Sequence, residues 1–324
     1  MNFKHLRTIK RGILPLALIA VCAAGHAQER EELLPFGNMD QWIKREIKES
    51  AIIGGELKNI YAVGPARTIK GEIPYKPVGG SPWATSNVMA KVVGIVKTNS
   101  SVFPEARNGG FCARLDTHME SVKVFGLVDI TVLAAGSLFL GEVHEPIKST
   151  KNPNGLLLMG IPFTKRPTAL RFDYKVRIAD RAKRIRATGF SRIADIDGKD
   201  RAAVVCLLQK RWEDEEGNVY AKRVGTFAIQ YDKSCDWQNA ATYEILYGDI
   251  TGRPEYHADW MALNAYEYNT VNSKGESVRI KETGWAAPDD APTHIILQFA
   301  SSHGGAYIGT PGNSLWVDNV KLVY

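Results

Sequence analysis

The run SLWVDNVKLVY, residues 314–324, closes the chain and decides the fold. Chain termini usually fray and tolerate polar residues, whereas this one sets Asp318 among Trp316, Val317 and Val320. A terminal segment this apolar is predicted to be a strand held inside a sheet. Its aspartate either bonds to neighbouring backbone amides in a bulged strand or contributes to a metal site.

Short runs of alternating apolar and polar residues recur upstream of this segment, and no segment shows a long 3.6-residue period. Such runs predict strands, here at residues 90–97, 110–117, 170–178, 202–209, 219–231, 242–247, 294–301 and 314–324. Turn-forming residues stand between them, as at 215–218, 273–275 and 310–313. The pattern predicts an all-β fold, a β-sandwich of the jelly-roll kind with few short helices.

One segment carries a helical pattern. Residues 41–50 (QWIKREIKES) place Trp42, Ile43 and Ile47 among charged residues, which predicts a helix. Residues 257–268 are compatible with either a helix or a strand.

A secretory leader is predicted at residues 1–27. Four basic residues precede an apolar run at 12–24, and Gly25 and Ala27 are small residues at the positions that a signal peptidase recognises. The run is about half the roughly 20 residues that a spanning helix needs. Cleavage after Ala27 leaves 28–324 as a single domain, exported to the periplasm or cell surface. A lipoprotein acylated at Cys22 is the alternative.

Charge and cysteine content narrow the function. The leader holds four of the 41 basic residues and none of the 35 acidic ones, so its removal lowers the net charge from +6 to about +2. This weakens the case for nucleic acid as a partner. Cys112, Cys206 and Cys235 remain, which permits at most one disulfide, so a large core must stabilise the chain.

Five blocks of sequence resemble a known family. They are LPFGNMDQW, NGGFCARLDT, GSLFLGEV, NPNGLLLMGIPFTKRPTALRFDYKV and GTPGNSLWVDNVKLVY. In order and spacing they resemble the putative carbohydrate metabolism domain of glycan-foraging gut bacteria, whose members are secreted or surface-exposed. The resemblance implies a jelly roll similar to carbohydrate-binding modules. Because few residues precede Pro35, it also implies the form without an extra N-terminal immunoglobulin-like domain.

The same resemblance implies a candidate metal site, because jelly-roll sugar-binding modules often hold a structural calcium where the first and last strands meet. Asp40 and Asp318 are the candidate carboxylates, with Asn38 and Asn319 as neutral oxygen donors. The alternative is that Asp318 serves only its own strand. No other cofactor is expected.

Sugar recognition needs flat apolar faces and hydrogen-bonding groups, and aromatic side chains supply both. Trp83, Trp237 and Trp285 lie in polar or proline-containing stretches and are predicted to be exposed and to bind carbohydrate. Trp42, Trp212 and Trp316 lie in periodic segments and are predicted to be core residues or cross-strand partners.

A glycoside hydrolase would need two carboxyl groups across a cleft. Asp116 and Asp173 lie in predicted strands, where they either face a cavity or pair with Arg114 or Arg171. No catalytic residue is assigned. The glycine-rich segment 301–314 lacks the context of a phosphate loop and is predicted to turn the chain at one end of the sandwich, where small ligands also enter.

The sequence thus predicts a secreted or surface-exposed protein that binds a polysaccharide or oligosaccharide as a non-catalytic component of glycan acquisition. Association with outer-membrane glycan-uptake proteins follows from that role. The alternatives are a glycan-active enzyme, such as a glycoside hydrolase, and a structural or adhesive surface protein.

Overall fold

The computed structural model describes residues 29–75, 81–92, 94–124, 128–148, 154–189 and 192–324. The predicted leader at residues 1–27, with Cys22, lies outside the described residues. Across the described ranges, no helix combines the length and apolar character that a membrane crossing requires.

Strands dominate the described chain, with one short α-helix, α1 (Ala258–Met261), and two 3-10 turns at Ala51–Ile53 and Asn154–Leu156. The strands are β1 (Glu31–Leu33), β2 (Trp42–Lys48), β3 (Leu57–Val63), β4 (Arg67–Lys70), β5 (Trp83–Thr85), β6 (Val88–Val92), β7 (Ile95–Asn99), β8 (Val102–Arg107), β9 (Gly110–Val124), β10 (Val128–Ala135), β11 (Ser137–Val143), β12 (Leu157–Met159), β13 (Ile161–Pro162), β14 (Ala169–Arg177), β15 (Lys183–Arg186), β16 (Ala194–Asp197), β17 (Ala202–Glu213), β18 (Val219–Tyr231), β19 (Cys235–Glu244), β20 (Leu246–Tyr247), β21 (Asn269–Val271), β22 (Ser277–Trp285), β23 (His294–Ala300), β24 (Ile308–Gly309) and β25 (Ser314–Val323).

Two large sheets organise these strands. Sheet I has seven strands in the order β10-β9-β25-β14-β19, with β8 paired to β9 and β1 paired to β25. Sheet II has ten strands in the order β13-β23-β17-β18-β22-β21-β12-β11-β5, with β20 paired to β18 and a further pairing of β11 with β23. Three smaller sheets comprise β2–β4, β6–β7 and the trio β15, β16 and β24.

The closing strand lies inside sheet I, as predicted. Its first half pairs with β9 and its whole length pairs with β14 on the opposite side. The first strand, β1, completes the β9 side by pairing with residues 321–323. Pairing on both edges satisfies the backbone of β25, and packing on its faces buries most of its side chains, which accounts for its apolar sequence.

The main core lies between sheets I and II and confirms the predicted all-β sandwich. Phe172 of sheet I meets Phe299 of sheet II edge to face, with ring centroids 5.2 Å apart. Leu315 and Val317 of β25 join the same cluster as Val204 of β17.

Sheet II is also covered on its outer face. A second cluster there includes Val205, Leu207, Ile296 and Met261, the last from α1. Because β17 is buried on both faces, its sequence AAVVCLLQ is a nearly continuous apolar run.

Three local predictions of secondary structure are wrong. Residues 242–247 comprise the end of β19 and all of β20 instead of one strand. Within 41–50, residues 42–48 form strand β2 instead of a helix, and Arg45 alternates inward with Ile43 and Ile47. The buried arginine is accommodated by an ion pair with Glu145. Residues 90–97 form parts of β6 and β7 instead of one strand, with Gly94 in the left-handed region at φ +78° beside their turn. In the undecided segment 257–268, α1 provides a single helical turn.

Candidate functional site

Trp83 belongs to the main core, which contradicts its predicted exposure. Its side chain is 0% exposed, its indole Nε1 donates to the Pro35 carbonyl at 2.7 Å, and its ring lies 6.5 Å from that of Phe299. Ser81, the polar neighbour that suggested a loop, donates instead to the Val63 carbonyl at 2.6 Å. Trp83 is therefore removed from the candidates for ligand contact.

Trp237 and Trp285 are both half-buried, and each carries an arginine over its ring. The Arg107 guanidinium carbon lies 3.9 Å from the Trp237 ring centroid, and that of Arg223 lies 5.6 Å from the Trp285 centroid. One face of the Trp237 ring is thus already covered. Carbohydrate contact by these two tryptophans remains a prediction.

Asp318 is held by a guanidinium. Arg107 Nη1 bonds to Asp318 and also lies 3.0 Å from Asp173 Oδ2, while the Asn319 backbone N–H donates to Asp318 Oδ1 at 2.8 Å. The β14–β25 register shifts beside this pair, so the strand is bulged there. Burial raises the pKa of Asp318, and the ion pair with Arg107 opposes that shift.

Asp40 and Asp318 do not fit the predicted calcium site. Asp40 accepts hydrogen bonds from the Phe111 backbone N–H at 2.9 Å and from Asn38 Nδ2 at 2.7 Å. Calcium requires about six to eight oxygen ligands, whereas N–H donors hold the oxygens of both aspartates. Among the residues that the structure describes, no group of three or more His, Cys, Asp or Glu side chains is arranged to hold a metal ion.

The strand carboxylates considered for hydrolysis are engaged in ion pairs. Asp116 pairs with Arg114 at 3.0 Å, as one alternative predicted. Asp173 pairs with Arg107 instead of Arg171, whose guanidinium binds Glu29 at 2.9 Å. These carboxylates are therefore neutralised locally.

An apolar cavity of about 360 Å³ lies between the β6–β7 hairpin, strands β9 and β10, and residues 305–307 of the glycine-rich segment. Glu120 is the one carboxylate among the described residues that line it. Burial raises the pKa of Glu120, but hydrogen bonds from His118 and Lys97 outweigh burial and hold the pKa below its usual range. The cavity walls are mostly aliphatic, which suits an apolar ligand better than a hydroxyl-rich one.

Trp212 and Tyr220 form a pair of stacked rings, here called the aromatic platform, in which Trp212 is exposed and Tyr220 is half-buried. They lie directly opposite each other in the register of β17 and β18. Their ring centroids are 5.8 Å apart at an interplanar angle of 21°, and Trp212 is 44% exposed. A hydrogen bond to Asp214 raises the pKa of Tyr220.

A groove of about 670 Å³ lies beside the platform and includes Tyr220 in its wall. Its other lining residues are Asn218, Val219, Asn264, Val278, Arg279 and Lys281. In the hairpin next to it, Asp214 accepts hydrogen bonds from the backbone N–H and the side-chain amide of Asn218 at 2.8 and 2.9 Å. Rigid rings beside polar donors are the elements that sugar recognition requires.

A family model for the putative carbohydrate metabolism domain matches residues 67–323. The chain belongs to this family. The resemblance seen in the sequence is thereby confirmed, and the matched range of this carbohydrate metabolism domain includes both members of the aromatic platform. No curated protein sequence matches the domain.

Several solved structures resemble the domain at a distance. A putative glycoside hydrolase from Bacteroides thetaiotaomicron is 17% identical with a TM-score of 0.44, covering 83% of this chain and 81% of that one. A putative glycoside hydrolase from Bacteroides vulgatus is 12% identical with a TM-score of 0.41, covering 90% and 94%. The CBM22-1 and GH10 modules of Clostridium thermocellum xylanase 10B, complexed with xylohexaose, are 9% identical with a TM-score of 0.22, covering 74% and 26%. None of these likenesses carries an argument about the site.

Trp212 is a cross-strand partner, as one predicted alternative had it, but it is also exposed, which was not predicted. Along β17, Lys210 and Trp212 continue the alternation of Val204, Cys206 and Leu208, which face the main core. The alternation that faces the main core therefore continues to Trp212, but the residues that bury Leu208 do not bury the Trp212 ring. The polar residues around it, Lys210 and Glu213, were the available signal.

Proposed function

We propose that this carbohydrate metabolism domain binds a polysaccharide or oligosaccharide at the aromatic platform without cleaving it. The observation that carries the proposal is the exposed Trp212 ring, stacked nearly parallel to the half-buried Tyr220 ring beside a groove with cationic side chains. The C–H face of a pyranose is apolar and stacks on such rings, while its hydroxyl groups need hydrogen-bond partners at the edge of the platform.

The expected strength follows from the area covered. A sugar ring that removes roughly 60 Å² of apolar ring surface from water gains about 1.5 kcal/mol at 25 cal/mol per Å². That free energy corresponds to about tenfold in the dissociation constant. Stacking on the platform therefore supplies a modest, measurable share of the affinity.

The chemistry of the groove supports binding rather than cleavage. Glycoside hydrolysis generally uses two carboxyl groups about 5–10 Å apart. The described residues that line the groove include no carboxylate, and Asp214, which bonds to Tyr220, is itself held by Asn218.

The domain is proposed to act outside the cytoplasm, at the cell surface or in the periplasm, alongside outer-membrane glycan-uptake proteins. The leader pattern of residues 1–27 and the family membership support this placement. N-terminal sequencing of protein recovered from the periplasm or cell surface tests it. A mature chain that begins at Gln28 is expected, and a chain that retains residues 1–27 in the cytoplasm would contradict it.

Native electrophoresis through gels that contain single polysaccharides tests binding at the platform. At least one polysaccharide is expected to retard the wild-type protein, and Trp212→Ala is expected to lose about tenfold in affinity. Phe111→Ala is the matched control, because Phe111 is 43% exposed on sheet I and lies outside the platform. Retention that Trp212→Ala leaves unchanged would refute the site, and shortened polysaccharide chains after incubation would refute the non-catalytic role.

A further inference from the structure

The aromatic platform shares its face of sheet II with several basic side chains. Lys210 lies directly opposite Lys222 in the β17–β18 register, two residues along each strand from the Trp212–Tyr220 pair. On the other side of β18, Tyr220 is paired with Lys281 of β22. Cationic side chains therefore flank the rings both along the strands and across them.

Only some of these basic side chains are neutralised by ion pairs. Lys210 pairs with Asp290 at 2.8 Å, and Arg279 pairs with Glu267 at 2.7 Å. Lys222 and Lys281 form no ion pair with any residue that the structure describes, although the charge of Lys222 contributes to the lowered pKa of Asp290. Two acids lie near Tyr220: Asp214, which is occupied by Tyr220 and Asn218, and the exposed Glu216, whose charge contributes to the raised pKa of Tyr220.

Cationic residues directly opposite each other in a sheet repel and destabilise it. Asp290 offsets part of this repulsion, because it pairs with Lys210 and also feels the charge of Lys222. An anion placed beside the platform would offset the charge that remains on Lys222 and Lys281. Same-face neighbours along a strand are about 7 Å apart and adjacent strands about 4.8 Å apart. The long stems of Lys222 and Lys281 allow both ammonium groups to reach a charged substituent on a sugar stacked at Tyr220.

We infer that the platform is built for an anionic glycan, whose carboxylate or sulfate groups bind Lys222 and Lys281 while a sugar ring stacks on Trp212 and Tyr220. This inference rests on the proposed carbohydrate-binding function and names the ligand class of the same site. A carboxylate and a sulfate present the same oxyanion chemistry to a lysine, so the experiment must distinguish them.

Matched polysaccharides that differ only in charge provide the test. Dextran sulfate against dextran probes sulfate, and polygalacturonate against its methyl ester probes carboxylate. At low ionic strength the wild-type protein is expected to bind at least one charged member about tenfold or more tightly than its neutral partner. The preference is expected to shrink as salt is raised, because salt screens exposed charges.

The double variant Lys222→Gln/Lys281→Gln is expected to lose this charge preference, by about tenfold, and to keep its affinity for the neutral member. Lys199→Gln/Lys233→Gln is the matched control. It removes the same charge from exposed lysines, and Lys233 follows β18 at the end away from the platform. Thermal unfolding checks that both double variants fold.

Each outcome decides a separate claim. Equal binding of charged and neutral members, or a preference that survives in Lys222→Gln/Lys281→Gln, overturns the anionic-glycan inference and leaves the binding function standing. Equal loss in both double variants shows a long-range charge effect and also overturns it. If no tested polysaccharide binds and Trp212→Ala changes nothing, the proposed function itself falls, and the inference with it.

Discussion

Arg45 and Glu145 form a buried, two-pronged ion pair between β2 and the segment that follows β11. Their hydrogen bonds measure 3.1 and 2.7 Å, and their side chains are 3% and 0% exposed. Glu145 also accepts the backbone N–H groups of Tyr75 and Met89. The Glu145 carboxylate therefore binds three segments that are far apart in sequence, at Arg45, Tyr75 and Met89.

Glu145→Ala is expected to lower the free energy of unfolding by about 3–5 kcal/mol, because it leaves Arg45 buried without a counter-charge. Urea denaturation of the variant and the wild type measures the difference. Glu142→Ala is the control, since Glu142 is 39% exposed and lies 3.4 Å from His144. Its effect is expected to be within about 0.5 kcal/mol. Similar losses in the two variants would show that the buried pair has no special role.

Trp83 and Trp212 are expected to respond oppositely in stability and binding. Trp83→Ala removes a ring that is wholly buried and should cost about 3–5 kcal/mol of unfolding free energy. Trp212→Ala removes an exposed cross-strand partner and should cost about 0.2–1 kcal/mol. Denaturation measures the loss of stability in both variants. Mobility in polysaccharide gels measures the loss of binding, which is expected in Trp212→Ala. A large loss of stability in Trp212→Ala would mean that the ring serves packing.

Removal of divalent metal is expected to leave the protein unchanged, because Arg107 supplies the positive charge beside Asp173 and Asp318. The thermal midpoint with EDTA and with added calcium should agree within about 1 °C. Arg107→Leu should cost about 3–5 kcal/mol, since it leaves both carboxylates uncompensated. Arg30→Leu, at an arginine that is 69% exposed, is the control. A fall of several degrees with EDTA in the wild type would restore a calcium site.

His294 is expected to make stability fall as the pH falls from about 6.5 to 4. Burial, and secondarily the charge of Arg211, lowers the pKa of His294 from 6.5 to about 4. In that window the unfolded chain binds the proton and the folded chain does not, so acid favours unfolding. The contribution is fully present above pH 6.5 and amounts to roughly 1–2 kcal/mol, once solvent screening of a half-buried ring is allowed for.

His294→Gln removes this titration, so its denaturation midpoint should fall less between pH 6.5 and 4 than that of the wild type. His257→Gln, at an exposed ring, should keep the wild-type dependence. Parallel pH profiles for wild type and His294→Gln would show that His294 is protonated in the folded state at pH 6.

Much of the fold could be predicted because a strand is indicated by the alternation of apolar and polar residues over a short stretch of sequence. Residues 202–209 and 219–231 lie within β17 and β18, and the closing segment is β25. The wrong prediction of a helix came where an inward position held a charge. At β2 the pattern of Ile43, Arg45 and Ile47 resembles an exposed helix until the partner Glu145 is known.

The candidate site could be predicted less well, because exposure and pairing depend on residues distant in the chain. Trp83 lies among polar neighbours yet is covered by Phe299, and Asp318 receives its counter-charge from Arg107, 211 residues away.

The amino-acid sequence by itself determined that this is an all-β chain of the carbohydrate metabolism family whose final strand is held within a sheet. The alternation of apolar and polar side chains involves near neighbours in the chain, so it is visible in the sequence alone. The tertiary structure alone decided that Trp212 is exposed on a half-buried Tyr220, with Lys222 and Lys281 nearby. A ring is buried or exposed according to whether another layer covers it, and the charged neighbours Lys210 and Glu213 in its own strand indicate the end of that layer only weakly.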